Sequence, residues 1–397
     1  MSKGLSMSRS ESLFTREFLA LNVVFFLAFC NLAVFFHFHQ YLHTLPIDSR
    51  WFGLLISLFS LLSLILRPII SPFMHTGNAR KWLGIGCTVV IVLLLTYGFA
   101  RNFYTMALVR ILHGVGFVGQ TTAMMVLIVG FIPQKKSGQA FGLLSVSTLL
   151  PYAVVPPILG PLSDWLGGFD HVLNLTALMM LLIFPLLLIV RVPANESNGE
   201  TVTQGRIRAG ELIENLKDRR VLLLLIINLV FFTAFTPVFF FLKRFAVDIG
   251  IKNAGLFFTL AFVTMISIRI MAGPVFDRLS KIQLLGWSMA LVASGYVILA
   301  NTSGPLLFYS LAVLLGLGWG VAMPLFDALM FDISPTRFQG LNINLAIEMV
   351  DGGFFLGPLV GGMVLSWSGY VSLFYVCAAV SLLALVLLFF MGGKTKS

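Results

Sequence analysis

Glu348 and Asp351 are out of place in the apolar stretch 341–364. They stand three apart, so a helix carries them on one face. Two carboxylates in a low dielectric disfavour being ionised together, which suits a group that takes up and gives back a proton. At ~1.5 Å per residue from Leu341, Glu348 lies about 10 Å and Asp351 about 15 Å into the stretch. Arg110 is equally misplaced within 103–131, and His113 follows three residues on, on the same face. Arg110 is the cation assigned here to the carboxylate pair, with Arg269 or a backbone group as the alternative. Asn31, inside 18–43, is a candidate for contact with a solute. Other chemistries lack their residues. There is no H-E-x-x-H, G-x-S-x-G or P-loop pattern, which argues against an enzyme. Cys30, Cys87 and Cys377 are far apart in apolar runs and read as buried hydrophobes. His37 and His39 are two apart and point to different sides of a helix, a poor geometry for a shared metal. Neither a metal nor a cofactor is expected.

Groups of this kind need helices that hold them in an apolar medium. The chain is 58% hydrophobic and 11% charged, whereas a soluble domain carries roughly 25% charged residues. Cut at charges, Gly and Pro, it yields twelve runs fit to cross a bilayer: 18–43, 51–74, 82–100, 103–131, 139–163, 171–190, 221–242, 254–276, 282–300, 304–331, 341–364 and 370–391. The first run is long, its N-terminal flank is polar and no small-residue cleavage site follows it, so it reads as an uncleaved helix. The long polar segment 191–220 separates six runs from six. This predicts an all-α integral membrane protein with an N-terminal half (1–190), a linker (191–220) and a C-terminal half (221–397). Arg208, Glu211, Glu214 and Lys217 predict a short surface helix in the linker.

The net charge of +10 has the same explanation. If the N-terminus is cytoplasmic, 18 of the 26 Lys and Arg fall in inside segments and five in outside loops. That is the positive-inside pattern of an even helix count with both termini cytoplasmic, and it needs no nucleic-acid partner. The halves also repeat. Gly53, Arg67 and Pro72 recur 202 positions later as Gly255, Arg269 and Pro274; Pro157 and Gly168 recur 201 later as Pro358 and Gly369. A near-constant offset points to a duplicated six-helix unit, and paired halves about a midplane site suit alternating access.

Between runs eight and nine stands Gly273-Pro-Val-Phe-Asp277-Arg278-Leu-Ser-Lys281. It resembles the loop signature G-x-x-x-D-R-x-G-[RK] of the major facilitator superfamily. Arg110 to Gly116, R-I-L-H-G-V-G, is similar to that family's helix 4 signature, and Gly357 to Gly362, G-P-L-V-G-G, resembles its antiporter signature, here in run eleven instead of five. The first-half loop departs from the pattern, with His75 and Thr76 at the Asp and Arg positions.

The resemblance implies the major facilitator fold of two pseudo-symmetric six-helix halves. Within the family it is nearest to the bacterial drug/proton antiporters. It implies a monomeric inner-membrane carrier for proton-coupled efflux of small amphipathic molecules; uptake of a nutrient or siderophore, or lipid translocation between leaflets, are the alternatives. Asp351, Glu348, Arg110 and His113 become the proton-coupling candidates. Gly273, Asp277, Arg278, Arg269 and Arg67 become the gate. Helices 1, 7 and 10 line the cavity in this family, which adds Phe36, Phe235, Phe239 and Trp319 to Asn31 as solute contacts.

Overall fold

The computed structural model describes residues 12–48, 51–190, 209–251 and 253–392. Among them are twelve helices long and apolar enough to cross a bilayer: α1 (Arg16–Val34), α2 (Leu54–Phe73), α3 (Thr76–Phe99), α4 (Phe103–Val129), α5 (Gln134–Pro156), α6 (Phe169–Ile189), α7 (Arg219–Leu242), α8 (Gly255–Arg278), α9 (Lys281–Ala300), α10 (Pro305–Ile333), α11 (Gln339–Leu365) and α12 (Trp367–Met391). The described residues hold no strand. Successive spans reverse direction, so α1 begins and α12 ends at one end of the bundle, here called proximal; the other is distal.

Local sequence explains where the helices depart from the predicted runs. The first run breaks after Val34 into a tight turn, Phe35–His37, and a short helix, Phe38–His43. That turn sets the Phe35 and Phe38 rings against the Arg110 guanidinium, at 5.0 and 4.7 Å. The third helix begins at Thr76, six residues before the predicted 82, despite a polar first turn. The Asn78 side chain accepts the His75 N–H at 2.9 Å and the His75 side chain closes a reciprocal cap, which satisfies donors a helix start otherwise leaves orphaned. From Gln339 to Gly392 the chain is helical except at Gly369, near the start of α12, with φ 77° and ψ −176°. Only glycine adopts that conformation without strain.

Burial follows position in the bundle. α1, α4, α7 and α10 are the most enclosed spans, and α2, α5, α8 and α11 the least. α2 packs on α11, and α5 on α8 and α10, so two seams join the first six spans to the last six. Trp165, near the distal end of the helix Ser137–Leu166, and Trp367, at the distal start of α12, are 79% and 83% exposed. They stand 202 positions apart and suit a membrane–water interface, where an amphipathic ring is favoured.

The polar contacts Ser137–Asp332, Gly138 and Gln139 with Asp277, Ser145–Arg269, Thr122–Asn344, Arg67–Glu348 and Ser63–Asp351 cross between the two sets of spans. All of these lie between the proximal end and mid-span. The predicted linker helix is present as Ala209–Lys217. Asn215 exchanges amide hydrogen bonds with Asn342, and Glu211 pairs with Arg337 at 2.8 Å. Residues 191–208 of the predicted linker lie outside the described residues, and its last two, Arg219 and Arg220, already belong to α7.

Candidate functional site

The carboxylate pair sits where α2 meets α11, and its cation is Arg67. Nη2 of Arg67 lies 3.6 Å from Oδ2 of Asp351, and Nε lies 3.7 Å from Oε2 of Glu348. Nη2 also donates to Ser63 Oγ at 3.1 Å, and Ser63 Oγ donates to Asp351 Oδ2 at 2.9 Å. Nη1 reaches Thr121 Oγ1 of α4 at 3.4 Å. Ser63 and Arg67 are four apart on α2 and therefore share a face, as do Glu348 and Asp351 on α11. The site is thus two helix faces pressed together, with α4 behind. Arg67 and Glu348 are buried, whereas the Asp351 side chain is 32% exposed. Tyr152 of α5 lies within electrostatic reach of Asp351, so the carboxylate faces the space between the two seams.

This overturns the assignment of Arg110. Its Nε and Nη2 donate to the Leu55 and Ile56 carbonyls near the distal end of α2, both at 3.0 Å. Its guanidinium also lies 5.1 Å from the Phe59 ring, besides Phe35 and Phe38. Carbonyls and aromatic faces are adequate partners for a buried guanidinium. Arg110 therefore ties α1, α2 and α4 together at a different depth. His113 belongs to the same block: its ring nitrogens meet Asn31 Nδ2 at 3.1 Å and the Tyr97 hydroxyl at 2.9 Å. Asn31 is fully buried against that histidine, so it does not line the cavity in this conformation.

Two aromatic walls flank the carboxylates. On the first-half side Phe29 packs edge-on to Phe117 and Tyr152, and Phe59 packs on Phe117. On the other, Phe235 meets Trp319 edge-on at 4.9 Å, and Phe354 bridges Phe235 and Phe239. Phe235 and Trp319 are buried, with Trp319 Nε1 donating to the Tyr296 hydroxyl; Phe239 is half-buried. The Phe36 side chain lies outside the described residues.

The proposed gate divides into two different arrangements. At the α5–α8 seam, Asp277 accepts the N–H groups of Gly138 and Gln139, at 2.7 and 3.0 Å. Those are orphan donors at the start of the helix Ser137–Leu166, where an anion is favoured. Lys281 lies 3.6 Å from Asp277 and 2.9 Å from Asp332, which accepts Ser137 Oγ at 2.7 Å. The close approach needs glycine at 138, because a Cβ there would stand 2.7 Å from the Phe276 Cβ. Gly273 is buried against Gln139, and Arg278 is exposed. The partner of Asp277 is therefore a helix start with Lys281. Arg269 is buried with Nη1 on the Ser145 carbonyl across the seam and Nε on the Gly320 carbonyl. Asp327 of α10 lies within electrostatic reach of Arg269.

Asp277→Asn removes the charge and one of the two acceptors. The loss is about 1–2 kcal/mol, or roughly fivefold or more in the closed population. A cysteine at Gly142, buried where its Cβ would meet the Arg269 carbonyl across this seam, should then react faster with an aqueous maleimide, whereas His75→Ala should leave its rate unchanged. An unchanged rate in Asp277→Asn would remove the latch role.

Sequence reading missed Ser63, Thr121, Tyr152 and Lys281 as partners, and it placed Arg67 in the gate. A signal for Arg67 was available. It lies about six residues from the proximal end of α2, close to the depth of Glu348 counted from the same end of α11.

The family model for the Major Facilitator Superfamily matches residues 18–350 and 253–397. The Staphylopine export protein of Staphylococcus aureus is 22% identical over 93% of this chain and 94% of that protein. The multi-drug resistance efflux pump PmrA of Streptococcus pneumoniae is 29% identical over 72% of each. Among solved structures, FucP in the outward conformation superposes with a TM-score of 0.76 at 13% identity, covering 95% of this chain and 99% of FucP.

Proposed function

This chain belongs to the Major Facilitator Superfamily, and from that premise we propose that it is a proton-coupled secondary carrier exporting small amphipathic organic molecules. It is a transporter and a multi-pass membrane protein, and relatives over most of its length are named for efflux and export. On this reading it works as a monomer in a bacterial inner membrane with both termini cytoplasmic. Residues 1–190 and 221–397 rock about the midplane, with 191–220 as the cytoplasmic linker.

The observation that carries the coupling is the Arg67 site. One guanidinium faces two carboxylates, so with all three ionised the site holds one excess negative charge deep in the spans. Such a charge is costly in an apolar medium, and a proton removes it. Arg67 and the carboxylates lie on opposite sides of a seam, so the seam's closure and the site's charge state are energetically linked. The aromatic walls beside Asp351 suit an amphipathic solute.

Thermal-shift screening of purified protein at two pH values, against cationic, anionic and neutral amphiphiles, identifies ligands through stabilisation by binding. A ligand found this way should be driven across proteoliposome membranes by an imposed pH gradient. Transport that ignores the gradient would overturn proton coupling, and inward movement under the physiological gradient would overturn export.

A further inference from the structure

Ten buried side-chain polar atoms among the described residues have no hydrogen-bond partner in the protein, and five of them lie along one seam: Glu348 Oε2, Arg67 Nε, Asn344 Oδ1, Thr122 Oγ1 and Ser71 Oγ. Their residues are all at most 6% exposed. On α11, Asp351, Glu348, Asn344 and Gly340 follow at helical spacing toward the proximal end; on α2, Ser63, Arg67 and Ser71 do the same. The two stripes face each other. Ser63 bonds Asp351, Arg67 faces Glu348, and the turn Ser71–Phe73 packs on α11. From α4, Thr122 offers its carbonyl to Asn344 Nδ2, and Val126 packs on Gly340.

The stripe ends at a recess of about 70 Å³ lined by His75, Thr76, Val126, Thr336, Arg337, Gln339 and Gly340, among others. That is room for water molecules. The duplicated architecture explains its position. His75 plus 202 is Asp277, and Gly138 plus 202 is Gly340. At the α5–α8 seam the Asp277 carboxylate fills the place against the helix start. At the α2–α11 seam the His75 side chain instead caps its own helix, and the corresponding place is the recess.

We propose that the α2–α11 seam holds a file of water molecules that conducts protons between Glu348 and the proximal aqueous phase, while the α5–α8 seam is sealed by its latch. Buried polar groups without protein partners are where internal water is held. Three such atoms, on Asn344, Thr122 and Ser71, lie between the Arg67–Glu348 pair and the recess at the bundle end, and they mark the route. Arg67 prevents the route from becoming a leak. Its guanidinium stands between Glu348 and the partly exposed Asp351, and a fixed positive charge bars hydronium. Asp351 therefore exchanges protons with the central space and Glu348 with the proximal end. Transfer between them waits on movement of α2 against α11. Each passage carries one proton from hydronium to a carboxylate, or back, with no other bond changed. The charged and titratable groups facing the route are Arg67, Glu348 and Asp351 at its inner end and His75 and Arg337 at its mouth.

The proposal rests on proton coupling, and the test separates the two. Ser71→Ala, Thr122→Val and Asn344→Leu are reconstituted singly, and substrate-induced proton flux is followed with an entrapped pH dye. If the atoms hold a proton-carrying file, each variant should slow flux by about tenfold, the loss of one hydrogen-bonding partner in the path. Substrate counterflow without a gradient should stay within about twofold of the parent. Full-speed flux in all three, with stability raised by removal of unpaired polar atoms, would overturn the file. A second arm needs no proton coupling. A cysteine at Ser71 should be modified by a small aqueous thiol reagent, whereas one at Gly142, which lies against the Arg269 carbonyl on the latched seam, should not. If the parent moves no protons with substrate, the coupling reading falls and so does conduction. Reactivity at Ser71 would then show a wet seam with no proton role, and no reactivity there would refute the wet seam itself.

Discussion

Asp351→Asn should abolish gradient-driven accumulation while leaving substrate counterflow intact. A pH gradient of one unit coupled to one proton is worth about 1.4 kcal/mol, which is about tenfold accumulation in the parent. The asparagine variant keeps the shape and an acceptor for Ser63 Oγ, which lies 2.9 Å from Asp351. It can no longer change charge, so it behaves as a carrier fixed in the protonated state, and accumulation should fall to about onefold. Glu348→Gln should lose driven accumulation as well, because Glu348 is the carboxylate at the inner end of the proximal route and Asp351 the one open to the central space. The measurement is uptake into proteoliposomes with and without an imposed gradient, beside counterflow with none. Undiminished accumulation in Asp351→Asn would leave the pair with a structural role only.

Arg67→Leu should be the most damaging single change to stability. Removing one partner of a buried ion pair leaves the other unsatisfied, at a cost of about 3–5 kcal/mol. Here two carboxylates would be stranded at once. Neutralising them should reverse most of that loss, so Arg67→Leu combined with Glu348→Gln and Asp351→Asn should unfold at a temperature nearer the parent's than the single variant does. Arg110→Leu is the useful comparison. Its guanidinium meets carbonyls and rings, so the carboxylate substitutions should not rescue it. Thermal unfolding in detergent compares these four variants with the parent. Equal rescue of both arginine variants would show that the carboxylates do not recognise Arg67 in particular.

The membrane helices were legible because their signals are local. An apolar run of bilayer length must be a helix, since its backbone polar groups have no other partners in lipid. The break after Val34 and the early start at Thr76 were not legible from hydropathy, because both depend on particular side chains: the rings set on Arg110 and the reciprocal cap at His75. The depth of Glu348 and Asp351 was also readable by counting along one helix.

The sequence alone therefore determined the twelve spans, the repeat near 202 positions and the presence of two carboxylates at mid-span. It did not determine their cation. Two arginines in apolar runs were available in the first half, and which one faces α11 depends on how each helix is rotated and on its depth at the seam. On α4 the residue that reaches the site is Thr121, eleven positions beyond Arg110 and so ~16 Å away along the axis. Ser63 and Asp351 are 288 positions apart, and a contact over that distance exists only once the two sets of spans have packed. The same holds for the two ends of the gate. Sequence showed His75 standing where the other half has Asp277. Only packing decided that one seam is latched onto a helix start while the other opens onto a polar recess, because a carboxylate fills the space against backbone N–H groups and a histidine turned back on its own helix does not.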